Sequence, residues 1–198
     1  VMSKVWNKKI FEHIQKDVDK ASKDLAEERG ACPDAADYGI KERFSNKTAI
    51  APTASISIIC GGTSPGVEPI AANSFTHKTL SGSFNVKNRY LEKILEKYNK
   101  NDDETWSSIT TNQGSVSHLD FLTQQEKDVF KTAFELDQKW IVELGADRTP
   151  HVSQAQSINV FVPADIHKKE LHQIHFQAWK KGLKSLYYCR SKSIQRAE

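Results

Sequence analysis

Apolar residues recur every three or four positions early in the chain, at Ile10, Ile14, Val18, Ala21 and Leu25. That spacing puts them on one face and predicts a helix over about Lys4–Arg29, with Gly30 as its stop. A polar connection follows from Ala31 to Asn46, and Thr48–Pro52 reads as a short buried strand. A short helix opens near Thr53–Ser57 and is broken by Gly61, Gly62 and Pro65. Phe75–Phe84 predicts an extended segment, and Tyr90–Tyr98 a helix with Leu91, Ile94 and Leu95 turned inward. Asn99–Glu104 is a charged loop. The strongest helical pattern covers Thr123–Gly145, where Thr123 and Glu126 have capping-box spacing and Gly145 is the stop. Its stripe is Val129, Ala133, Phe134, Trp140, Ile141 and Leu144. Ser157–Val162 is a predicted strand and Leu186–Cys189 a closing one. Between them, Asp165–Lys184 predicts a helix with Ile166, Leu171, Ile174, Ala178 and Trp179 on its apolar side.

Helix, strand, helix, strand is the closing rhythm. It predicts a barrel or doubly wound α/β fold with largely parallel strands. A length of 198 residues allows one large domain or two small ones. With a net charge of only +3, there is no broad electrostatic case for binding nucleic acid or a membrane surface. The basic cluster Lys180, Lys184, Arg190, Lys192 and Arg196 reads as a solvated helix face and tail. Cys32, Cys60 and Cys189 are too few and too widely spaced for a zinc or disulfide framework, which points to a reducing, cytoplasmic compartment. No apolar run approaches the length of a membrane span, and the first residues carry no secretory pattern. The chain opens directly into a helix, as if entered part-way through a larger fold.

Candidate chemistry concentrates in two places. The first is Ala51–Pro69, APTASISIICGGTSPGVEP. A strand running into a helix start leaves backbone N–H groups aimed outward, and with the helix dipole they suit a phosphate. Small side chains at Thr53, Ala54 and Ser55 would let an anion approach, and two of them add hydroxyls. An N-cap opening an ordinary helix accounts for the same residues. The second is Tyr187–Tyr188. Adjacent strand residues face opposite sides of a sheet, so simple alternation would separate the two phenols. His167, His172 and His175 share a helix but lack a matching carboxylate–histidine partner, so no metal site is assigned. Cys60 has no orienting histidine nearby and reads as a small buried residue. Gln154, Gln156, Ser157 and Asn159 are polar positions facing a barrel interior or covering its rim.

Together these stretches resemble the large, catalytic subunit of class I ribonucleotide reductase, especially that of T4-like bacteriophages. The matching segments run in order: KDLAEERGACP, NKTAIAPTASISIICGGTSPGVEP, SFTHKTLSGSFNVKN, VSQAQSINVFVP and FQAWKKGLKSLYYCRS. The resemblance extends over nearly the whole chain, residues 1–198, but only over the C-terminal portion of that subunit. It implies an α/β fold, the C-terminal part of a ten-stranded α/β barrel completed by a missing N-terminal portion. It implies that Pro52, Thr53, Ala54, Ser55 and Ile56, within the loop 51–69, hold the substrate diphosphate. It also implies that Tyr187 and Tyr188, in a terminal strand over 186–190, form the paired tyrosines of a long-range radical pathway.

The implied activity is reduction of ribonucleoside diphosphates to 2′-deoxyribonucleoside diphosphates. The family's reactive cysteines, their Asn and Glu partners and the regulatory nucleotide sites lie upstream of this portion, and its mobile tail cysteines are absent. The implied partners are therefore an N-terminal large-subunit polypeptide carrying those cysteines and the small, beta subunit with its diiron-tyrosyl radical. Thioredoxin or glutaredoxin is the implied reductant, and no cofactor is expected on this chain itself. A non-catalytic nucleotide-binding or interaction remnant of the same barrel is the alternative. Such a remnant would dock a partner through open sheet edges.

Overall fold

The computed structural model describes the backbone of residues 2–80 and 82–191, and the side chains of all of these except 77–79. Lys192 and Arg196 of the basic cluster, and Ser81 of the predicted extended segment, lie outside the described residues. In chain order the helices and strands are α1 (Met2–Arg29), α2 (Pro33–Asp37), α3 (Ala54–Ile59), β1 (Ser74–Thr79), β2 (Gly82–Lys87), α4 (Arg89–Lys97), α5 (Asp103–Thr111), α6 (Gln124–Val129), α7 (Gln138–Arg148), β3 (Val160–Val162), α8 (Lys168–Lys180) and β4 (Cys189–Ser191). The chain divides into two compact units, the first Val1–Ala51, Gln138–Val160 and Ala164–Glu198, the second Pro52–Asp137 and Phe161–Pro163.

The first unit is built on parallel backbone pairing. Ile50 and Gln156 form a parallel bridge, so the strand expected over Thr48–Pro52 contracts to one paired residue. Around that bridge Gln154 N–H donates to Thr48 O at 2.9 Å and Ser157 N–H to Ile50 O at 2.8 Å. On the other side of the same segment, Tyr187 N–H donates to Ile158 O at 2.7 Å and Val160 N–H to Tyr188 O at 2.9 Å. Three stretches therefore run in one direction, as the helix–strand rhythm requires, with α8 as the crossover between the last two.

Helices α1, α7 and α8 pack as a layer. Asn7 joins α1 to α7, donating from Nδ2 to Leu144 O at 3.0 Å and accepting from Arg148 Nη1 at 3.1 Å. The buried Arg148 lies 5.6 Å over the Phe11 ring. This packed stripe is rotated from the one expected, and Ile10 and Ile14 remain 49% and 39% exposed. Trp179 is likewise 73% exposed, while Ile174 and Ala178 of α8 are buried as expected. Gly145 does not stop a helix, because α7 continues through it to Arg148. A Cβ there would lie 2.6 Å from Ile158 Cδ1 and 3.3 Å from Leu183 Cδ2, so the glycine permits close approach of the helix.

The second unit has its own core of Leu91, Leu95, Trp106, Ile109, Val116, Leu119, Leu122 and Phe130. The buried Asn73 organises the loops around it. Its Nδ2 donates to Gly114 O and Phe130 O at 2.9 and 2.7 Å, and its Oδ1 accepts from Asn88 Nδ2 at 2.8 Å. Asn88 in turn caps α4, its side chain accepting from the N–H groups of Tyr90 and Leu91. Strands β1 and β2 form an antiparallel hairpin with Ser74 opposite Lys87 and Thr79 opposite Gly82. The expected extended segment is thus two strands, and they are not parallel.

Two local signals redraw the sequence expectation. Asp102 caps α5 by accepting from Thr105 N–H at 2.7 Å, so the charged loop ends in a helix that delivers Trp106 and Ile109 to the core. The long helix expected over Thr123–Gly145 is α6, a 3-10 turn over Ala133–Glu135 and then α7. The Thr123–Glu126 capping box is present, but a second one, Thr132–Glu135, restarts the chain. Local side-chain bonds to backbone compete with helix continuation, and here they win. Phe130 then enters the core, whereas Val129 and Trp140 stay 70% and 57% exposed.

Gly114 has φ +79° and a Cβ would stand 2.3 Å from Ala72 Cβ and 2.8 Å from Asn73 N. Gly114→Ala is expected to destabilise the chain by about 2–4 kcal/mol, combining left-handed strain with overpacking; urea unfolding measures it. The Glu126 carboxyl is held below the usual carboxylate value, first by Thr123 N–H, then by the Thr123 hydroxyl and Tyr98. A depressed carboxylate contributes stability above its unfolded value and loses it as pH falls through the folded one. Glu126→Gln should therefore lower the urea midpoint at about pH 7, and its difference from the parent chain should shrink as pH falls through the folded carboxyl value.

Candidate functional site

The residues expected to hold phosphate open the second unit. Thr53 is the N-cap of α3, with φ −126° and ψ 36°, yet its side chain makes no capping hydrogen bond. Its N–H donates to Pro65 O at 2.9 Å, folding the Gly-rich turn back over the helix start. Ser57 N–H closes the first helical turn onto Thr53 O at 2.8 Å. The N–H groups of Ala54, Ser55 and Ile56 then have no intrahelical acceptor by the geometry of a helix start. An ordinary N-cap would satisfy one of them with the Thr53 hydroxyl, and here it does not.

The far end of α3 explains the glycines. Gly62 N–H donates to Ser57 O at 3.0 Å, and Gly61 takes φ +83° between them. That six-to-one bond around a left-handed glycine is a Schellman stop. Ser57 is buried and its hydroxyl donates to Ala54 O at 2.7 Å, so it belongs to the scaffold of the loop. Ala54, Ser55 and Ile56 are exposed, Ile56 at 58%.

The tyrosine pair lies in the first unit, just before β4. Strand alternation fails there, and the two rings come together. Their centroids are 4.1 Å apart with an interplanar angle of 49°, and Tyr187 Oη donates to Tyr188 Oη at 3.4 Å. Both are half exposed, at 46% and 52%. The Arg190 guanidinium sits 5.3 Å over the Tyr188 ring. The Tyr187 phenol is held above its ordinary value, first by its hydrogen bond to Tyr188 and then by the Tyr188 charge and desolvation, with Arg190 acting in the opposite direction. Asn159 Oδ1 accepts from Tyr188 N–H at 3.3 Å. No sequence signal assigned that role to Asn159, because the partner is distant along the chain.

Other candidate residues serve the scaffold. Gln156 is buried, accepting from Arg148 Nε at 2.9 Å and donating to Gly145 O at 2.9 Å and Thr149 Oγ1 at 3.0 Å. Gln154 and Ser157 enter through backbone pairing to Thr48 and Ile50. His167 caps α8, accepting from Lys169 N–H, while His175 bonds Leu171 O and His172 stacks on Phe176. No group of three or more His, Cys, Asp or Glu among the described residues is placed to hold a metal ion. All three cysteines are free thiols; Cys60 caps the C-terminus of α3 and is exposed, so the small buried residue expected there is not found. No helix among the described residues is long and apolar enough to cross a membrane.

Residues 34–189 match the family described as "Ribonucleotide reductase, barrel domain". The chain belongs to the ribonucleotide reductase barrel-domain family. Among relatives, it is 50% identical over 193 residues to the ribonucleoside-diphosphate reductase large subunit of Invertebrate iridescent virus 6, a match covering 96% of this chain and 20% of that protein. It is 46% identical to the large subunit of Invertebrate iridescent virus 3, covering 95% of this chain and 30% of that one. Among solved structures, the Actinobacillus ureae class Id ribonucleotide reductase alpha subunit superposes with a TM-score of 0.87 at 37% identity, over 98% of this chain and 35% of that chain. The chain thus spans between a fifth and about a third of these reductase subunits. The expected fold, part of an α/β reductase barrel, is the one found.

The Tyr187 phenol is raised first of all by its hydrogen bond to Tyr188. Tyr188→Phe should therefore bring the Tyr187 titration down toward that of an ordinary phenol, read as ultraviolet phenolate absorbance of the chain across alkaline pH.

Proposed function

We propose that this chain is the C-terminal part of the catalytic barrel of a ribonucleoside-diphosphate reductase large subunit. It acts with an N-terminal polypeptide that carries the reactive cysteines and with a small, radical-bearing subunit. The observation that carries the reading is the phenol pair, with hydroxyls 3.4 Å apart and rings 4.1 Å apart. Two neighbouring phenols of similar environment suit the transfer of an electron together with a proton, since neither becomes charged along the way.

The small subunit's diiron-tyrosyl radical supplies the oxidising equivalent. Tyr188, once it has given up its hydroxyl hydrogen, takes a hydrogen atom from the Tyr187 hydroxyl across their O–H···O contact. The bond to hydrogen breaks at Tyr187 and forms at Tyr188, so the unpaired electron moves inward to Tyr187. Tyr187 next takes a hydrogen atom from an active-site cysteine thiol of the completing polypeptide and is restored as a phenol. The substrate thereby meets a thiyl radical made only when the assembly is complete. After each turnover the oxidised cysteine pair is reduced by thioredoxin or glutaredoxin.

Pro52, Thr53, Ala54, Ser55 and Ile56 hold the diphosphate in this scheme. The uncapped start of α3 supports that role, because the side chain best placed to satisfy its N–H groups does not do so. Backbone donors at Ala54, Ser55 and Ile56 and the hydroxyls of Thr53 and Ser55 recognise the charged end common to all ribonucleoside diphosphates. They leave the base to be chosen elsewhere.

In the reassembled reductase, Tyr187→Phe and Tyr188→Phe should each lower turnover by at least ~1,000-fold, a barrier increase of ~4 kcal/mol. Circular dichroism and melting temperature should stay near those of the parent, since only an exposed hydroxyl is lost. Full turnover by Tyr188→Phe would remove the radical role. Ser55→Ala should raise the KM for a ribonucleoside diphosphate about tenfold with kcat nearly unchanged, as expected for one lost hydrogen bond to a charged group.

A further inference from the structure

The close pairing of Tyr187 and Tyr188 has a definite backbone cause. In a regular strand, successive N–H groups point to opposite neighbours and successive side chains to opposite faces. Here two consecutive N–H groups turn to the same neighbour. Tyr187 N–H donates to the main-chain carbonyl of Ile158 at 2.7 Å, and Tyr188 N–H donates to the side-chain Oδ1 of Asn159 at 3.3 Å. The main-chain ladder then resumes, with Val160 N–H donating to Tyr188 O at 2.9 Å. Regular strand starts only at Cys189. The Asn159 amide oxygen therefore stands in for a main-chain acceptor and lets one residue slip out of alternation, as a β-bulge does when it re-aims a side chain.

We propose that Asn159 is the positioning residue of the tyrosine pair: by accepting the Tyr188 N–H through its side chain, it holds both phenols on one side of the chain with their hydroxyls in contact. This rests on the radical-transfer reading for its consequence in catalysis, but the positioning itself is a property of this chain. Asparagine fits the task by length and chemistry. Its oxygen lies two bonds beyond Cβ, within reach of a neighbouring strand, and is uncharged. Leucine has the same shape without an acceptor, and aspartate keeps the acceptor.

The test separates positioning from radical transfer. In the full chain, Tyr187 phenolate absorbance is titrated for the parent, Tyr188→Phe, Asn159→Leu, Asn159→Ser and Asn159→Asp, with circular dichroism to check folding. Asn159→Leu should titrate Tyr187 as low as Tyr188→Phe does, because the hydroxyl contact is lost, whereas Asn159→Asp should leave it raised. Should the leucine variant not fold, Asn159→Ser, whose hydroxyl is too short to reach, is expected to give the same downward movement. In the reassembled reductase, Asn159→Leu should lower kcat about 10- to 100-fold at unchanged KM, the effect of misplacing a reacting group by about 1 Å. Asn159→Asp should recover kcat to within a few-fold of the parent. A folded Asn159→Leu or Asn159→Ser with the parent's Tyr187 titration would overturn the positioning role. Full turnover in Tyr188→Phe would instead remove the radical reading and leave the titration to decide the positioning role alone.

Discussion

The first unit depends on one short backbone segment, Gln154 to Val160, that pairs on both sides. Thr48 and Ile50 bond to its first half, Tyr187 and Tyr188 to its second. Burial reinforces the pairing: Gln156, Ile158 and Val160 are all buried, and the Gln156 side chain ties the segment to Gly145, Arg148 and Thr149. Each backbone bond contributes only about 0.5–1.5 kcal/mol net, but leaving such groups unpaired in a buried segment would cost more. The segment is therefore held firmly, and whatever is bonded to it inherits that rigidity.

The proposed function draws on this rigidity. Ile50, next to Ala51, is anchored in the parallel ladder. Tyr187 and Tyr188 are anchored in it as well, on the opposite edge. A radical route needs fixed distances between phenols more than it needs a pocket, and a backbone ladder supplies them. The proposed phosphate recognition needs backbone donors at a helix start, and it is assigned to α3, six residues long with an uncapped start and a glycine stop. The two proposed roles rest on different local devices.

Much of this was legible along the chain. The long first helix, the α8 helix and the Thr123–Glu126 capping box depend on contacts three or four residues apart, and the sequence spacing displays them. The motifs around Thr53 and Tyr187 were visible for the same reason. The breaks were not. Thr132 and Glu135 carry a second capping box inside an apolar stripe that reads as one helix, and only the burial of Phe130 and Thr132 shows which signal prevailed. Gly145 reads as a helix stop until Ile158 and Leu183 are seen pressed against it.

By itself the sequence determined where most helices form, which segments can start or stop them, and which family framework the chain follows. Tertiary structure decided which helix faces are buried, which glycine serves packing, and how two adjacent tyrosines come to share a side. The reason is the range of the forces involved. Helix signals are local, whereas the acceptor that turns Tyr188 beside Tyr187 is a side chain 29 residues away. No pattern along the chain encodes that meeting, because it exists only once α8 has carried the strand back beside Asn159.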